Sequence, residues 1–253
     1  MKQYYDAIYR RKSIRKYSQT PLSNDTMKSV RAAVATVEPL DYHIRFEIQI
    51  KDAEAFKSPV KAPHALCFYS EEKDNYLLNA GYIMQQLVLA LTTMELGTCW
   101  VGRAKPNELS LHGMQFVIMV LFGESEELLH RESVSEFKRK NFDDFTDIKG
   151  HGGILGLVRL APSAVNSQPW LFTDYHGKMV IARSKRNPVK TLLLDRFNQI
   201  DMGIAMCHLQ IGAEKLGQRA VFSYEECPVP RNSTFVASAE FDWINKRKDI
   251  GNG

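Results

Sequence analysis

The spacing of apolar residues changes along the chain, and each change predicts a different element. Near the N-terminus, YYDAIYRRKSIRKYS carries an apolar face at helical spacing and predicts a short amphipathic helix. A second helical stripe follows in PLSNDTMKSVRAAVATV, where Ser23 or Asn24 can act as the N-cap. Apolar and polar residues alternate in HIRFEIQI, which predicts a strand, and HALCFYS predicts a further one. The chain is therefore expected to begin with helices and to continue into a sheet.

Two long segments are apolar on almost every side, which is typical of helices that are buried all round. They are residues 75–97 and 193–217. Gly97 sits where a C-cap glycine belongs, so we expect it to end the first of them. Strands are predicted after each long helix, in TCWVG and FVIMVLFGE after the first and in AVFSYEE and TFVASAEF after the second. This order of elements predicts a mixed fold of the α+β class.

The order of elements restarts at about residue 137, with a basic turn, a helix, a loop and two strands. The segment NAGYIMQQL at 79–87 aligns with DMGIAMCHL at 201–209, an offset of 122 positions. We therefore expect an internal duplication with two pseudo-symmetric halves, residues 1–136 and 137–253, packed together as one body. Each half is expected to hold a sheet flanked by helices and one long buried helix. The alternative is that two buried helices resemble each other through composition alone.

Composition narrows the class of protein without choosing a function. The net charge is +4 over 253 residues, which suits an anionic small ligand as well as nucleic acid. The four cysteines form no CxxC pair and have no histidines at zinc spacing, so we expect no metal and a reduced, cytoplasmic protein. The N-terminus lacks an apolar signal segment, and the longest apolar run, FVIMVLF, is too short to span a bilayer. No membrane partner is therefore expected.

Three residues of the basic run RRKSIRKY, at positions 10–17, suggest a site for a phosphate group. Arg11, Ser13 and Arg15 alternate, so in an extended or turning backbone they point to one side. Two guanidinium groups and a hydroxyl suit a phosphate monoester, because arginine gives bidentate, charge-assisted hydrogen bonds to its oxygens. A basic run is also the ordinary composition of a solvated face, and the run alone leaves that interpretation open.

The segment LAPSAVNSQPW, at 160–170, has a stiffening proline near each end and is typical of neither helix nor strand. Between the prolines, Ser163, Asn166 and Gln168 offer short polar groups that can meet a flat heteroaromatic ring at low entropic cost. The alternative is a plain connection between helix and strand, with the final tryptophan in the core. In GTCWVG, at 97–102, two glycines allow close backbone approach to a ligand, although a helix cap followed by an ordinary strand has the same composition.

Together, RRKSIRKYS, LAPSAVNSQPWLF and LGTCWVG resemble the three signature stretches of the FMN-dependent nitroreductase family, and the resemblance extends from about residue 4 to residue 225. The chain resembles the single-chain branch typified by the "putative TM nitroreductases". In the family, a homodimer of α+β subunits holds FMN at the subunit interface, with the basic turn from one subunit and the Pro-Ser-x-x-Asn loop from the other. Here the turn lies in the first half and the intact loop in the second. The resemblance therefore implies a fused pseudo-dimer that acts as a monomer.

The resemblance also assigns roles by position. It implies that Arg11 and Ser13 bind the FMN phosphate, that the backbone of Lys12 contributes, and that Arg15 lies beside the flavin ring. Three groups complete the implied cofactor site: Trp100, Val101 and Gly102 under the ring, Lys138 or Arg139 at the phosphate, and the loop residues Pro162, Ser163, Ala164, Asn166 and Gln168. No side chain is expected to act as a nucleophile or general base, because the chemistry takes place on the flavin.

The implied activity is that of an FMN-dependent oxidoreductase, which passes hydride from NADH or NADPH to a small electron acceptor such as a nitroaromatic or a quinone. A flavin-binding protein without turnover is the alternative, because the mirror image of the site has lost its binding residues. There, Asp143 and Asp144 stand near the position of the second arginine in the second basic turn, FKRKNFDDF, and Glu38 and Asp41 replace the neutral loop. A nucleic-acid partner is not expected, since an extended basic surface with stacking aromatic residues is lacking.

Overall fold

The helical stripes and alternating runs of the sequence form separate helices and two main sheets. The computed structural model describes residues 1–149, 152–185 and 188–244. Its helices are α1 (Tyr5–Arg10), α2 (Asn24–Ala35), α3 (Tyr76–Thr93), α4 (Gly152–Arg159) and α5 (Pro188–Lys215). Its strands are β1 (Phe46–Asp52), β2 (Phe56–Lys57), β3 (His64–Ser70), β4 (Gly97–Val101), β5 (Lys105–Pro106), β6 (Ser110–Leu111), β7 (Met114–Gly123), β8 (Trp170–Tyr175), β9 (Lys178–Ser184), β10 (Gln218–Ser223) and β11 (Ser233–Trp243). The predicted α+β class is confirmed, and residues 245–253 of the predicted second half lie outside the described part.

The two main sheets share one strand order. The first runs β1-β3-β7-β4, with β6 added on β7, and the second runs β8-β9-β11-β10. Each successive pair in both sheets is antiparallel. When the short strand β6 is left aside, in each sheet the first and second strands along the chain are neighbours, a long helix follows the second strand, and the fourth strand lies between the second and the third. The same four-strand topology therefore occurs twice along the chain.

The long helices α3 and α5 pack against each other at the centre of the molecule. α3 is buried at residues 77–92 and α5 at residues 200–213, as the all-round apolar sequences of these stretches predict. A Cβ atom at Gly81 would overlap the carbonyl oxygen of Ile200, and one at Gly203 would overlap the carbonyl oxygen of Leu78. The contact is reciprocal, since 122 positions separate the glycines and 122 separate the carbonyl groups. The absence of a side chain at these glycines therefore lets the helix backbones touch.

The start of α2 agrees with the cap predicted from the sequence, whereas the end of α3 differs from it. The side chain of Ser23 caps α2 by accepting a hydrogen bond from the N–H of Thr26, as predicted. The prediction that Gly97 caps α3 is wrong, because the helix ends at Thr93 and Glu95 takes the left-handed conformation with φ of 58°. Gly97 instead begins β4, where it packs against Ile14. None of the described helices combines the length and apolar character that crossing a bilayer requires.

Candidate functional site

The basic turn lies along the edge strand β4 of the first sheet. Ser13 pairs with Thr98 in a parallel bridge, and the N–H of Ile14 donates to the carbonyl oxygen of Thr98 at 2.9 Å. The fully buried Ile14 side chain anchors this contact in the core. On the outer side, a carboxylate oxygen of Glu127 accepts from the N–H of Arg15 at 2.7 Å. Tertiary contacts therefore hold the residues after α1 in an extended course.

Arg11 is buried in this turn, and the part of the chain that the structure describes gives it no negatively charged partner. Only 3% of the surface of Arg11 is exposed, and its Nη1 lies 3.5 Å from Ser13 Oγ. Its buried Nε has no hydrogen-bond partner, and among the described residues no carboxylate lies within ion-pair distance of it. Burial, and then the positive charges of Arg131 and Arg139, lower the pKa of Arg11 to about 9. A buried cation in this state is stabilised by an anion placed beside it.

Two further arginines surround Arg11. The segment after β7 runs beside the basic turn, and a guanidinium N–H of Arg131 donates to the carbonyl oxygen of Arg11. Arg131 and Arg139 both lie over the ring of Phe137, with their Cζ atoms 4.0 and 5.4 Å from its centroid. The Nε of Arg139 is also buried without a partner, and burial, together with Arg131, lowers its pKa to about 10. We call Arg11, Arg131 and Arg139 the arginine cluster.

Arg131 was not among the candidate residues found in the sequence. It lies in ESEELLHRESVSEF, which has the composition of an ordinary charged surface segment. Two features of the sequence could have identified Arg131. It is basic, and it follows the last strand of the first half, which is the position that the family resemblance associates with the phosphate. The sequence favoured Lys138 or Arg139 for that position. The structure places Arg139 in the cluster, whereas Lys138 is exposed and offers its backbone carbonyl to Asn166.

The loop at residues 162–169 folds onto the segment that carries Arg139. Arg139 Nη1 donates to Asn166 Oδ1 at 2.7 Å, and Asn166 Nδ2 donates to the carbonyl oxygen of Lys138 at 2.8 Å. Buried Gln168 accepts from the N–H of Lys140 at 2.8 Å through its side-chain oxygen, and its own N–H donates to Ser163 Oγ at 2.9 Å. A direct hydrogen bond between Arg139 and Asn166 thus joins the loop to the arginine cluster, and further bonds join the loop to Lys138 and Lys140.

Three residues of this loop have left-handed backbone conformations. The φ angles are 47° at Val165, 56° at Asn166 and 48° at Gln168. Such angles are uncommon for residues other than glycine and are unfavourable for a β-branched residue such as Val165. The Val165 side chain is also 80% exposed. Backbone strain of this kind persists only where surrounding contacts impose it, and it is concentrated at functional sites.

A buried carboxyl group supports the loop from the side of α5. Asp201 is 3% exposed, and its Oδ1 and Oδ2 lie 3.0 and 3.1 Å from the N–H nitrogen of Ala164. Ser167 Oγ lies 3.4 Å from Asp201 Oδ2 and 3.3 Å from Asn198 Oδ1, and its single hydrogen can be donated to either oxygen. Burial raises the pKa of Asp201 to about 8, although hydrogen bonds from Ala164 and Ser167 lower it in part. Asp201 was not predicted from the sequence, because its partners lie 34 to 37 positions away on another element.

A buried polar chain connects β4 with the helices behind it. Trp100 Nε1 donates to Gln85 Oε1 at 3.3 Å, and Gln85 Nε2 lies 2.8 Å from His208 Nε2. His208 Nδ1 lies 2.8 Å from the carbonyl oxygen of Leu157, which can only accept, so Nδ1 carries the proton and Nε2 accepts from Gln85. Burial lowers the pKa of His208 to about 3. This histidine is therefore a neutral structural link.

The remaining candidate residues lie around β4. Val101 is buried, and Gly102 lies so close to Phe197 that a Cβ atom there would come within 2.6 Å of the ring. Lys12 donates through Nζ to the carbonyl oxygen of Leu128 at 2.9 Å. Arg15 is exposed at its side chain. Among the described residues, no hydrogen bond joins Trp100, Val101 or Gly102 to the 162–169 loop.

Comparison with known proteins identifies the family. A family model described as "Putative TM nitroreductase" matches residues 3–213. The chain belongs to this nitroreductase family. The family assignment made from the three motifs is therefore confirmed, and a comparison with curated proteins gives no significant match.

Solved structures add the fold. A putative nitroreductase from Thermotoga maritima MSB8 is 19% identical, with a TM-score of 0.65 over 93% of this chain and 92% of that chain. An FMN-dependent nitroreductase from Clostridium difficile R20291 is 16% identical, with a TM-score of 0.42 over 52% and 93% of the two chains. A nitroreductase with bound FMN from Desulfitobacterium hafniense DCB-2 is 12% identical, with a TM-score of 0.42 over 56% and 98%. The likeness to the first of these establishes the nitroreductase fold.

Proposed function

We propose that this nitroreductase-family protein is an FMN-dependent oxidoreductase that uses NADH or NADPH to reduce a small acceptor, such as a nitroaromatic or a quinone. The observation that carries the proposal is the arginine cluster. Burial and neighbouring guanidinium groups lower the pKa of Arg11 and of Arg139 there, and each of these two arginines keeps a buried Nε that has no partner among the described residues. A dianionic phosphate supplies both the missing charge and the missing acceptors.

The residues around the cluster fit the rest of such a cofactor. Ser13 adds a hydroxyl beside Arg11, and the strained 162–169 loop is bonded directly to Arg139. Burial raises the pKa of Cys99 in β4, and the positive charges of Arg15 and Arg11 partly reverse that rise. Both arginines are therefore close enough to β4 to influence a charge there. We propose that the arginine cluster and Ser13 hold the phosphate, while the loop and residues 100–102 of the chain face the ring system.

Bound FMN would supply the hydride chemistry, which leaves the protein the tasks of binding, orientation and water exclusion. His208 suits none of the proton-transfer roles, because it is fully buried and burial lowers its pKa to about 3. The polar chain through Gln85 instead fixes the Trp100 indole. We therefore assign no side chain as nucleophile or general base, and we propose that a positive charge at Arg15 favours the reduced, anionic form of the ring.

We further propose that residues 1–136 and 137–253 form a pseudo-dimer with the site between them, so that a single chain is the working unit. The shared strand order and the reciprocal glycine contact between α3 and α5 support this view. The arginine cluster also supports it, because Arg11 and Arg131 belong to the first half and Arg139 to the second. The four free thiols favour a cytoplasmic protein.

The test starts with the absorption spectrum of the purified protein and the identification of any released cofactor. We expect a flavin spectrum and FMN, bleaching on anaerobic addition of NADH or NADPH, and recovery of colour on addition of a nitroaromatic or a quinone. An apo-protein that takes up no FMN would contradict the whole proposal. Bound FMN that neither nicotinamide reduces would favour a flavin-binding protein without turnover.

A further inference from the structure

The long helices α3 and α5 each hold a loop with one buried side chain. On α3, Asn79 Oδ1 accepts from the N–H groups of Leu40 and Asp41 at 2.8 and 3.2 Å. On α5, Asp201 accepts from the N–H of Ala164 at 3.0 Å. The two side chains are 0% and 3% exposed and are 122 positions apart, the same offset as the helix glycines. The same anchoring contact therefore occurs twice, once through an amide and once through a carboxyl group.

The two anchored loops differ in backbone strain. Among residues 38–43, which Asn79 supports, none has a positive φ. The loop that Asp201 supports has left-handed conformations at Val165 and Asn166, and again at Gln168. Ala164 and Ser167, the two partners of Asp201, directly bracket the pair at Val165 and Asn166. Asp201 thus contacts the loop immediately before and immediately after its most strained step.

We propose that Asp201 is a positioning residue that holds the strained 163–168 loop in its cofactor-binding conformation by fixing Ala164 and Ser167. The proposal rests on the proposed FMN function. Without the anchor, the left-handed residues relax toward the ordinary region of backbone space. Asn166 then moves away from Arg139, whose hydrogen bond to it is 2.7 Å long. The loop and the arginine cluster lose the relative placement that a single ligand spanning both requires.

The geometry also predicts which substitution is tolerated. The N–H nitrogen of Ala164 is almost equidistant from the two carboxyl oxygens of Asp201, at 3.0 and 3.1 Å. One oxygen is therefore sufficient for this bond, and Asp201→Asn keeps one. The residue at the corresponding position of α3 is already an asparagine that accepts two backbone N–H groups. Burial, which favours the uncharged acid at this position, agrees with the tolerance of a neutral amide.

The test compares Asp201→Ala, Asp201→Asn and the matched control Asn79→Ala in the full chain. FMN affinity is measured by titration of the apo-protein, and the exchange rate of the Ala164 amide hydrogen is measured without FMN. We expect Asp201→Ala to weaken FMN binding at least 10-fold and to accelerate Ala164 exchange at least 10-fold. We expect Asp201→Asn to stay within about 3-fold of wild type in both. Asn79→Ala should lose conformational stability yet leave both quantities unchanged.

Equal losses of FMN affinity in Asp201→Ala and Asn79→Ala would overturn the proposal, because they would indicate a general effect on the fold. Unchanged affinity in Asp201→Ala would overturn it as well. If Asp201→Ala does not fold, Ser167→Ala removes the hydroxyl that contacts both Asp201 and Asn198, and an FMN affinity equal to that of wild type would then contradict the proposal. If wild-type protein binds no FMN, the proposed function fails, and the Ala164 exchange rate still decides separately whether Asp201 anchors the loop.

Discussion

At the scale of single residues, Arg11 combines burial, a lowered pKa and an unpartnered Nε. We predict that Arg11→Ala weakens FMN binding about 10- to 100-fold, because losing one charge-assisted partner of a phosphate costs about 1.5–3 kcal/mol. Arg10→Ala is the matched control, since the Arg10 side chain is 46% exposed and pairs with Glu95. Fluorescence titration of the apo-proteins measures both. Equal affinities in wild type and Arg11→Ala would remove Arg11 from the phosphate site.

Two buried groups on α5 should make stability depend on pH in opposite directions. Burial raises the pKa of Asp201 from 3.8 to about 8, so its contribution is present below pH 3.8 and is lost as the pH rises through about 8. Burial lowers the pKa of His208 from 6.5 to about 3, so its contribution is present above pH 6.5 and is lost as the pH falls through about 3. Between about pH 4 and 6.5, Asp201 lowers the free energy of unfolding as the pH rises while His208 raises it. Above that range, up to about pH 8, only the decline caused by Asp201 remains.

The variant Asp201→Asn isolates the part of the pH dependence of stability that comes from Asp201. We predict that the free energy of unfolding of the variant, relative to wild type, rises between about pH 4 and pH 8, by up to about 1.4 kcal/mol per pH unit. The reason is that the variant has no buried acid to ionise. Urea unfolding at constant ionic strength measures the difference at each pH. Asn79→Asp, which adds an acid at the corresponding site of α3, should introduce a decline of the same sign, whereas a difference constant in pH would contradict the assignment.

The predictability of the site differs from residue to residue. Arg11, Ser13 and the loop residues lie in short motifs that the sequence displays directly. Arg131 and Asp201 were missed because their role arises from contacts between distant parts of the chain, 120 positions apart for Arg131 and Arg11. The link between Gln85 and His208 spans 123 positions. Residue type and local spacing carry no information about such pairs.

At the scale of elements, periodicity predicted the helices and strands well and their ends less well. The buried helices and the strands β3 and β7 follow from their apolar patterns, because burial on all sides leaves a clear signal. The end of α3 was misplaced because leucine followed by glycine suits a helix end as well as a strand start. In the structure Glu95 takes the left-handed position, whereas in the second long helix Gly217 does so, with φ of 75°. Gly97 lies in β4 instead, where it packs closely against the Ile14 side chain.

The close contact of α3 and α5 leads to a prediction about their glycines. We expect Gly81→Ala and Gly203→Ala each to lower the free energy of unfolding by about 1–3 kcal/mol or more, because the new methyl group meets a rigid backbone carbonyl. Gly156→Ala, inside α4, is the control, since nothing lies within 4 Å of its added Cβ. It should raise stability by about 0.5–1 kcal/mol through helix propensity. Urea unfolding of the three variants tests the contact, and similar values for all three would contradict it.

At the scale of the whole molecule, the repeated strand order and the reciprocal helix contact suggest two equivalent places for a ligand, yet the residues at these places differ. The place with Arg11, Ser13 and Arg139 is basic. The other would combine Glu38 and Asp41 with Asp143 and Asp144. Asp143, Asp144 and Asp147 line a surface cleft of about 380 Å³, in which Arg231 is the one basic residue among those that line it. The excess of negative side chains at this second site opposes binding of a phosphate that carries close to two negative charges.

We therefore predict that one chain binds one FMN and needs no partner to do so. Titration of the apo-protein, followed by flavin fluorescence, should end at one equivalent per chain, while light scattering of the loaded protein should give the mass of a single chain. Arg11→Ala should weaken binding of that equivalent about 10- to 100-fold, and no second tight equivalent should take its place, because the acidic site does not substitute for the basic one. Two tight equivalents, or FMN retained only by a dimer, would contradict the pseudo-dimer and would mean that the site is completed between chains.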